Sequence, residues 1–247
     1  MGKPVLILGG TAEGRELANM LAREGKWRVI YSLAGRTAAP KLPETEVRIG
    51  GFGGAVPLAA YIQKEGIAAL INASHPFAVG ISRNAAAAAN RAAVPLLRLT
   101  RPAWTAVDGD QWHEVADWPD ALALLPDDAR VFLAIGFQEL RAFSGLLDQF
   151  FLVRTVDPPA TPLPLLHFEV ELGRGPFSVE DEIALLRRWN ITHLICKNSG
   201  GVGAYSKLEA ARALSLPVII KRRPRKLPVP GVSTVSETAA WLAAVVP

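Results

Sequence analysis

The chain carries one cysteine, Cys196, in 247 residues. A lone thiol closes no internal disulfide, which excludes the disulfide-stapled secreted scaffolds and fits a reducing cytoplasm. Long apolar runs are missing too: stretches such as Val5–Leu8 and Ala68–Ile71 fall far short of the ~20 residues that cross a bilayer. No charged-then-apolar leader with a cleavage site opens the sequence, so a cytoplasmic protein away from the membrane is expected. Tyr31, Tyr61 and Tyr205 are followed four residues later by Gly35, Glu65 and Glu209, so the Tyr-x-x-x-Lys pair of short-chain dehydrogenases is absent. His75, His113, His167 and His193 show no His-Glu-x-x-His spacing, and no metal site is expected. Cys196 lies in an apolar run and reads as packing rather than as a nucleophile.

What is present is a foldable, basic chain. Half its residues are hydrophobic, with 21 Gly and 19 Pro, a composition that buries a core. The formal net charge of +4 attracts anions. The dense basic cluster Lys221–Lys226 follows an apolar run and contains no aromatic residue for base stacking, so an acidic small molecule is favoured over nucleic acid.

Short β-branched and Leu-rich runs alternate with amphipathic stretches, the pattern of a parallel α/β fold. Strands are expected at Val5–Leu8, Trp27–Leu33, Val47–Ile49, Ile67–Ala73 and Leu96–Leu99. Helices are expected at Ala12–Glu24, Pro57–Lys64 and Ile81–Ala92. Periodicity weakens over Arg101–Trp118, which places a change of domain there: residues 1–105, then 106–247. The second half restarts with strands at Val131–Ile135, Phe150–Val153, Leu194–Cys196 and Val218–Ile220. Its helices are expected from Ser178 to about Trp189, over Ala204–Leu214 and over Glu237–Val245. Strand, glycine pair and helix at Leu6–Leu21 are echoed at Leu194–Leu214.

The first strand-to-helix junction reads Gly9-Gly10-Thr11-Ala12-Glu13-Gly14-Arg15. Glycines there let the backbone turn and approach a pyrophosphate resting on the free N–H groups of the helix. Thr11 replaces the middle glycine of G-x-G-x-x-G while Gly14 stays in register, so a tight structural turn is the competing explanation. NAD sites carry an acid near the end of the second strand. Here Tyr31-Ser32-Leu33-Ala34-Gly35-Arg36 has none, and Ser32 with Arg36 can hold a 2′-phosphate instead, favouring NADPH. Arg36 as a solvated loop cation is the alternative. Gly50-Gly51-Phe52-Gly53-Gly54 follows the third strand and implies a backbone approached closely by a ligand or another segment.

The fourth strand runs into His75-Pro76-Phe77-Ala78, at the edge where open parallel sheets bind ligands. Lys197-Asn198-Ser199-Gly200-Gly201 repeats the logic of strand end, small donors and glycines, a nest suited to anions, with Lys207 adding charge. Taken together with Arg223-Pro224, these segments and Leu8-Gly9-Gly10-Thr11-x-Glu13-Gly14-x-x-Leu17-Ala18 resemble, in order and across the whole chain, the precorrin-6A reductase family of cobalamin biosynthesis. The chain departs from that pattern at Asn72 and Ser74, where an acid and a threonine commonly stand.

The resemblance implies two Rossmann-like domains with the active site between them. It implies NADPH-dependent reduction of a ring double bond in precorrin-6A, an octacarboxylate macrocycle, to give precorrin-6B. Cofactor residues would be Gly9, Gly10, Thr11, Glu13, Gly14, Arg15, Ser32, Arg36, Gly51, Phe52 and Gly53. Substrate residues would be His75, Lys197, Asn198, Ser199, Gly200, Gly201, Lys207 and Arg222, with His75 the candidate catalytic proton donor and solvent or Lys197 the alternatives. The cobalt-containing macrocycle and a non-catalytic NADPH-binding regulator are the remaining alternatives.

Overall fold

The computed structural model describes residues 2–35, 40–225 and 227–247. It divides into two compact units, one of residues 1–102 and 224–247, the other Ala103–Arg223.

The first unit has β1 (Pro4–Leu8), α1 (Ala12–Glu24), β2 (Arg28–Leu33), β3 (Glu46–Ile49), α2 (Ala55–Lys64), β4 (Ala69–Asn72), α3 (Val79–Ala92) and β5 (Leu96–Leu99). The six-stranded parallel sheet runs β12-β5-β4-β1-β2-β3, where β12 is Gly231–Val232. Alternate residues of the central strands point to opposite faces, and both faces are covered, so the strands are continuously apolar. Val5, Ile7, Val29, Tyr31, Ala69 and Ile71 pack with Leu17, Ala18 and Leu21 of α1. Leu6, Leu8, Ile30 and Leu70 pack against Leu58 and Ile62 of α2 and the alanines of α3.

The second unit has β6 (Trp112–Val115), α4 (Trp118–Leu122), β7 (Arg130–Ala134), a 3₁₀ helix (Phe137–Phe143), β8 (Phe150–Thr155), β9 (His167–Leu172), α5 (Val179–Arg188), β10 (His193–Lys197), α6 (Ser206–Ala213) and β11 (Val218–Lys221). Its parallel sheet runs β6-β11-β10-β7-β8-β9. One face is closed by Trp118, Leu140 and Phe143, the other by Leu185, Leu186 and Leu208. Both units are therefore doubly wound α/β sheets, as expected.

Two expectations need correction. The tail beyond residue 223 does not belong to the second unit. β12 pairs with β5 through Gly231↔Arg98 and Val232↔Leu99, and α7 (Val235–Val245) places Leu242 in the same core as Leu17 and Leu21 of α1. Trp27 Nε1 also donates to the Val246 carbonyl at 3.1 Å. The echo between the two halves is likewise offset. β10 holds in its sheet the position that β4 holds in the first, and β7 is the counterpart of β1. No helix among the described residues is long and apolar enough to cross a membrane.

Candidate functional site

In an open parallel sheet the ligand crevice opens where strand order reverses. In the first unit that point lies between β1 and β4, which neighbour each other while their connections leave in opposite directions. Thr11 spans it: its Oγ1 donates to the Ala73 carbonyl at 2.9 Å and accepts the Gly14 N–H at 3.1 Å, capping α1. A Cβ on Gly14 would come 2.8 Å from the Ala73 Cβ, so the glycine lets the helix close on the strand. Gly10 has φ +127° and open space on its Cβ side. The N–H groups of Ala12 and Glu13 open the helix with no carbonyl one turn behind them. Those donors and the open glycine backbone fit a pyrophosphate. Glu13, in the same turn, pairs with Arg101 at 2.9 Å, which offsets its charge. Arg15 is half-buried and stands near enough to Tyr31 to act on it electrostatically.

Tyr31 is fully buried, and its hydroxyl accepts the Gly10 N–H at 3.2 Å. Burial pushes the phenol above its ordinary pKa, while the Gly10 N–H and the charge of Arg15 pull the other way. It thus stays a neutral support for the turn.

At the neighbouring strand end Ser32 is buried and its carbonyl accepts the Gly9 N–H at 2.8 Å. Arg48 stands opposite Ser32 in the β2–β3 register. Its Nη1 lies 3.4 Å from Ser32 Oγ and donates to the Gly50 carbonyl, and its Nη2 donates to the Gly51 carbonyl at 3.0 Å. The guanidinium stacks 3.8 Å above the Phe52 ring, which meets Tyr61 edge-on at 5.2 Å. Gly50, Gly53 and Gly54 have φ of +120°, +83° and +134°, so the glycine run is required by backbone conformation. Gly51 faces open space. Arg36 lies outside the described residues.

Across the crevice, Asn72 shapes the loop after β4. Its Oδ1 accepts from Ser74 Oγ at 2.7 Å and Ser74 N at 3.2 Å, and its Nδ2 donates to Ser82 Oγ at 3.0 Å. His75 Nδ1 accepts the Phe77 N–H at 3.3 Å, which puts the proton of the neutral ring on Nε2.

The second unit has its own reversal point, between β7 and β10. Lys197 Nζ meets Glu139 Oε2 across it at 2.6 Å, and Glu139 Oε1 accepts from Trp118 Nε1 at 3.2 Å. The Lys221 ammonium sits 4.4 Å from the Trp118 ring. Gly200 and Gly201 have φ of +67° and +74°, and Val202 beside them is 94% exposed. Asn198 is buried: its Oδ1 accepts the Trp104 N–H at 2.8 Å and its Nδ2 donates to the Trp104 carbonyl at 2.9 Å. Arg223 fastens the same loop, its Nε donating to the Asn198 carbonyl and its Nη2 to that of Ser199, each at 2.9 Å. Lys207 is buried, bonded to the Ala204 carbonyl and 5.1 Å from the Trp104 ring. Arg222 is exposed. Cys196 is fully buried, and burial pushes its thiol up to about 11.

The predicted residues thus fall on the strand-end edges of two sheets. Gly9–Arg15, Ser32, the Gly51–Gly53 turn and His75 gather in the first unit. Lys197–Gly201, Lys207 and Arg222 gather in the second. Sequence reasoning missed Tyr31, Arg48, Arg101 and Glu139. Of these only Arg48, an arginine two residues before a run of glycines, left a local trace.

The family described as "Precorrin-6x reductase CbiJ/CobK" matches the chain over residues 4–243. The chain belongs to this family. Among its relatives, a precorrin-6A reductase from Rhodococcus erythropolis is 48% identical, with 97% of this chain and 96% of that protein covered. One from Rhodobacter capsulatus is 46% identical, covering 97% and 95%. A cobalt-precorrin-6A reductase from Priestia megaterium is 30% identical, covering 90% and 91%. A solved structure titled "CobK precorrin-6A reductase" superposes with a TM-score of 0.94 at 45% identity, covering 98% of this chain and 97% of that one. The family is one of reductases, and its two-sheet fold is the one described above.

Proposed function

We propose that this chain is a precorrin-6A reductase that adds hydride from NADPH to one carbon of a ring double bond and a proton to its neighbour, giving precorrin-6B. The observation that carries the reading is likeness along nearly the whole chain to relatives of that name, up to 48% identical. Relatives named for the cobalt-bearing substrate stand at 30% and below, which supports the metal-free macrocycle.

The nicotinamide supplies the hydride when bound, and the protein's part is positioning. Gly9, Gly10, Thr11 and Gly14 would seat the pyrophosphate on the first turn of α1, with Glu13 and Arg15 beside it. Ser32 and Arg36 would hold the 2′-phosphate, and Gly51, Phe52 and Gly53 would border the ribose. The lack of an acid at the end of β2 supports NADPH over NADH. Lys197, Lys207 and Arg222 would pair with carboxylates of the macrocycle, and Ser199, Gly200 and Gly201 would offer backbone and hydroxyl donors. Asn198 would act by holding that loop on Trp104. His75 would deliver the proton from Nε2 as an imidazolium, which requires Nδ1 to give up the Phe77 N–H and carry a hydrogen of its own. The buried thiol of Cys196 suits the reducing cytoplasm, where the enzyme would work.

The test is incubation of the purified protein with precorrin-6A or its cobalt form, plus NADPH or NADH, read by absorbance and product mass. NADPH oxidation that requires the metal-free macrocycle, with product heavier by two hydrogens, is expected. Coenzyme bound but never oxidised would instead support a regulator.

A further inference from the structure

Arg48 has a place in the fold that the roles above leave unused. It faces Ser32 across the β2–β3 register, so its guanidinium and a buried hydroxyl converge at the tip of the second strand. The head group is held still. Phe52 lies under its plane at 3.8 Å, and the carbonyls of Gly50 and Gly51 take one hydrogen each from Nη1 and Nη2. An arginine has five N–H donors, and these bonds with the contact to Ser32 Oγ use three, leaving Nε and one Nη2 hydrogen. Its charge is also left over. Glu46, two residues back on the same strand, is held bidentately by Arg28, which also takes Glu65. Among the described residues no carboxylate pairs with Arg48. Pinning two carbonyls needs only neutral donors, so the charge of this fixed, half-buried guanidinium is available to an anion that reaches the strand tip.

We propose that Arg48 is a specificity-determining residue for the coenzyme, presenting a stacked, preoriented guanidinium that shares the 2′-phosphate with Ser32. The proposal rests on the NADPH reading above and adds the residue within the described structure that would enforce it. The planar fork matches a phosphate monoester in a way an ammonium does not, and stacking removes much of the entropy cost of holding it. A residue that only braced the glycine turn would serve both coenzymes alike, because they share everything at this position except the phosphate.

The experiment measures dissociation constants by calorimetry for NADPH, NADH, 2′,5′-ADP and 5′-AMP. It compares wild type, Arg48→Gln and Arg48→Lys, with folding checked by circular dichroism. Arg48→Gln is expected to lose about tenfold or more for the two phosphomonoester ligands, while NADH and 5′-AMP change by no more than about twofold. Equal losses for both pairs, or no loss, overturn the proposal. If Arg48→Gln does not fold, Arg48→Lys decides: its NADPH preference should fall about threefold or more, and an unchanged preference overturns the idea. A wild type that binds NADPH and NADH equally sinks the coenzyme reading and this proposal together. A preference that survives in Arg48→Gln sinks the proposal alone.

Discussion

Gly9 and Tyr31 are matched so closely that a side chain on Gly9 would overlap the tyrosine ring. A Cβ on Gly9 would lie 2.1 Å from Cζ of the Tyr31 ring, and the same ring's hydroxyl accepts the Gly10 N–H. The second strand therefore supports the turn that ends the first. Gly9→Ala forces the ring or the turn to move, and about 1–3 kcal/mol of stability should be lost, as in other overpacked cores. Urea unfolding measures the loss, and NADPH titration should show weaker binding because the Gly10 N–H is displaced. An unchanged unfolding midpoint contradicts the contact.

The proton role proposed for His75 can be told apart from its part in the loop, where its Nδ1 accepts the Phe77 N–H. Asn72 and Ser74 order that loop through their own bonds, so His75→Ala should fold normally. With NADPH saturating, turnover is expected to fall about a hundredfold, the usual share of a general acid. Binding of NADPH should stay as in wild type. Turnover equal to wild type removes His75 from the reaction.

Asn198 should behave differently from the lysines near it. Its amide bonds both the N–H and the carbonyl of Trp104 in a buried setting, so Asn198→Ala orphans two backbone groups. The expected cost is about 1–3 kcal/mol for each, seen as an earlier unfolding midpoint on denaturant titration. Lys197→Ala, which removes a partly exposed charge paired with Glu139, should instead raise KM for the macrocycle with little change in that midpoint.

How far the sequence reaches can be seen element by element. α1 was legible to the residue because its signals are local: the Thr11 cap, Leu17 and Leu21 on one face, and Gly25 in a left-handed conformation at the end. The last helix begins two residues before the expected Glu237, since Glu237 is the third helical residue and closes a capping box opened by Thr234. β12 had no signal at all. Two residues carry no periodicity, and Gly231–Val232 is a strand only because Arg98 and Leu99 lie alongside. β6, the 3₁₀ helix and β9 were missed for related reasons, each being short or, like β9, an edge strand with half-polar residues. In the site, the glycines were readable because positive φ selects for glycine wherever it occurs. Arg48 was not, because its importance comes from Ser32, sixteen residues earlier in sequence and next to it in register.

The amino-acid order alone determined the alternation of strands and helices, the glycine turns at the strand ends, and the family likeness, all carried by residues close together in sequence. Tertiary structure decided which strands are neighbours, that the C-terminal residues complete the first sheet, and that Tyr31 and Arg48 back the glycine turns. Those outcomes depend on pairing and packing between residues distant along the chain, and such contacts leave no pattern within any single window of sequence.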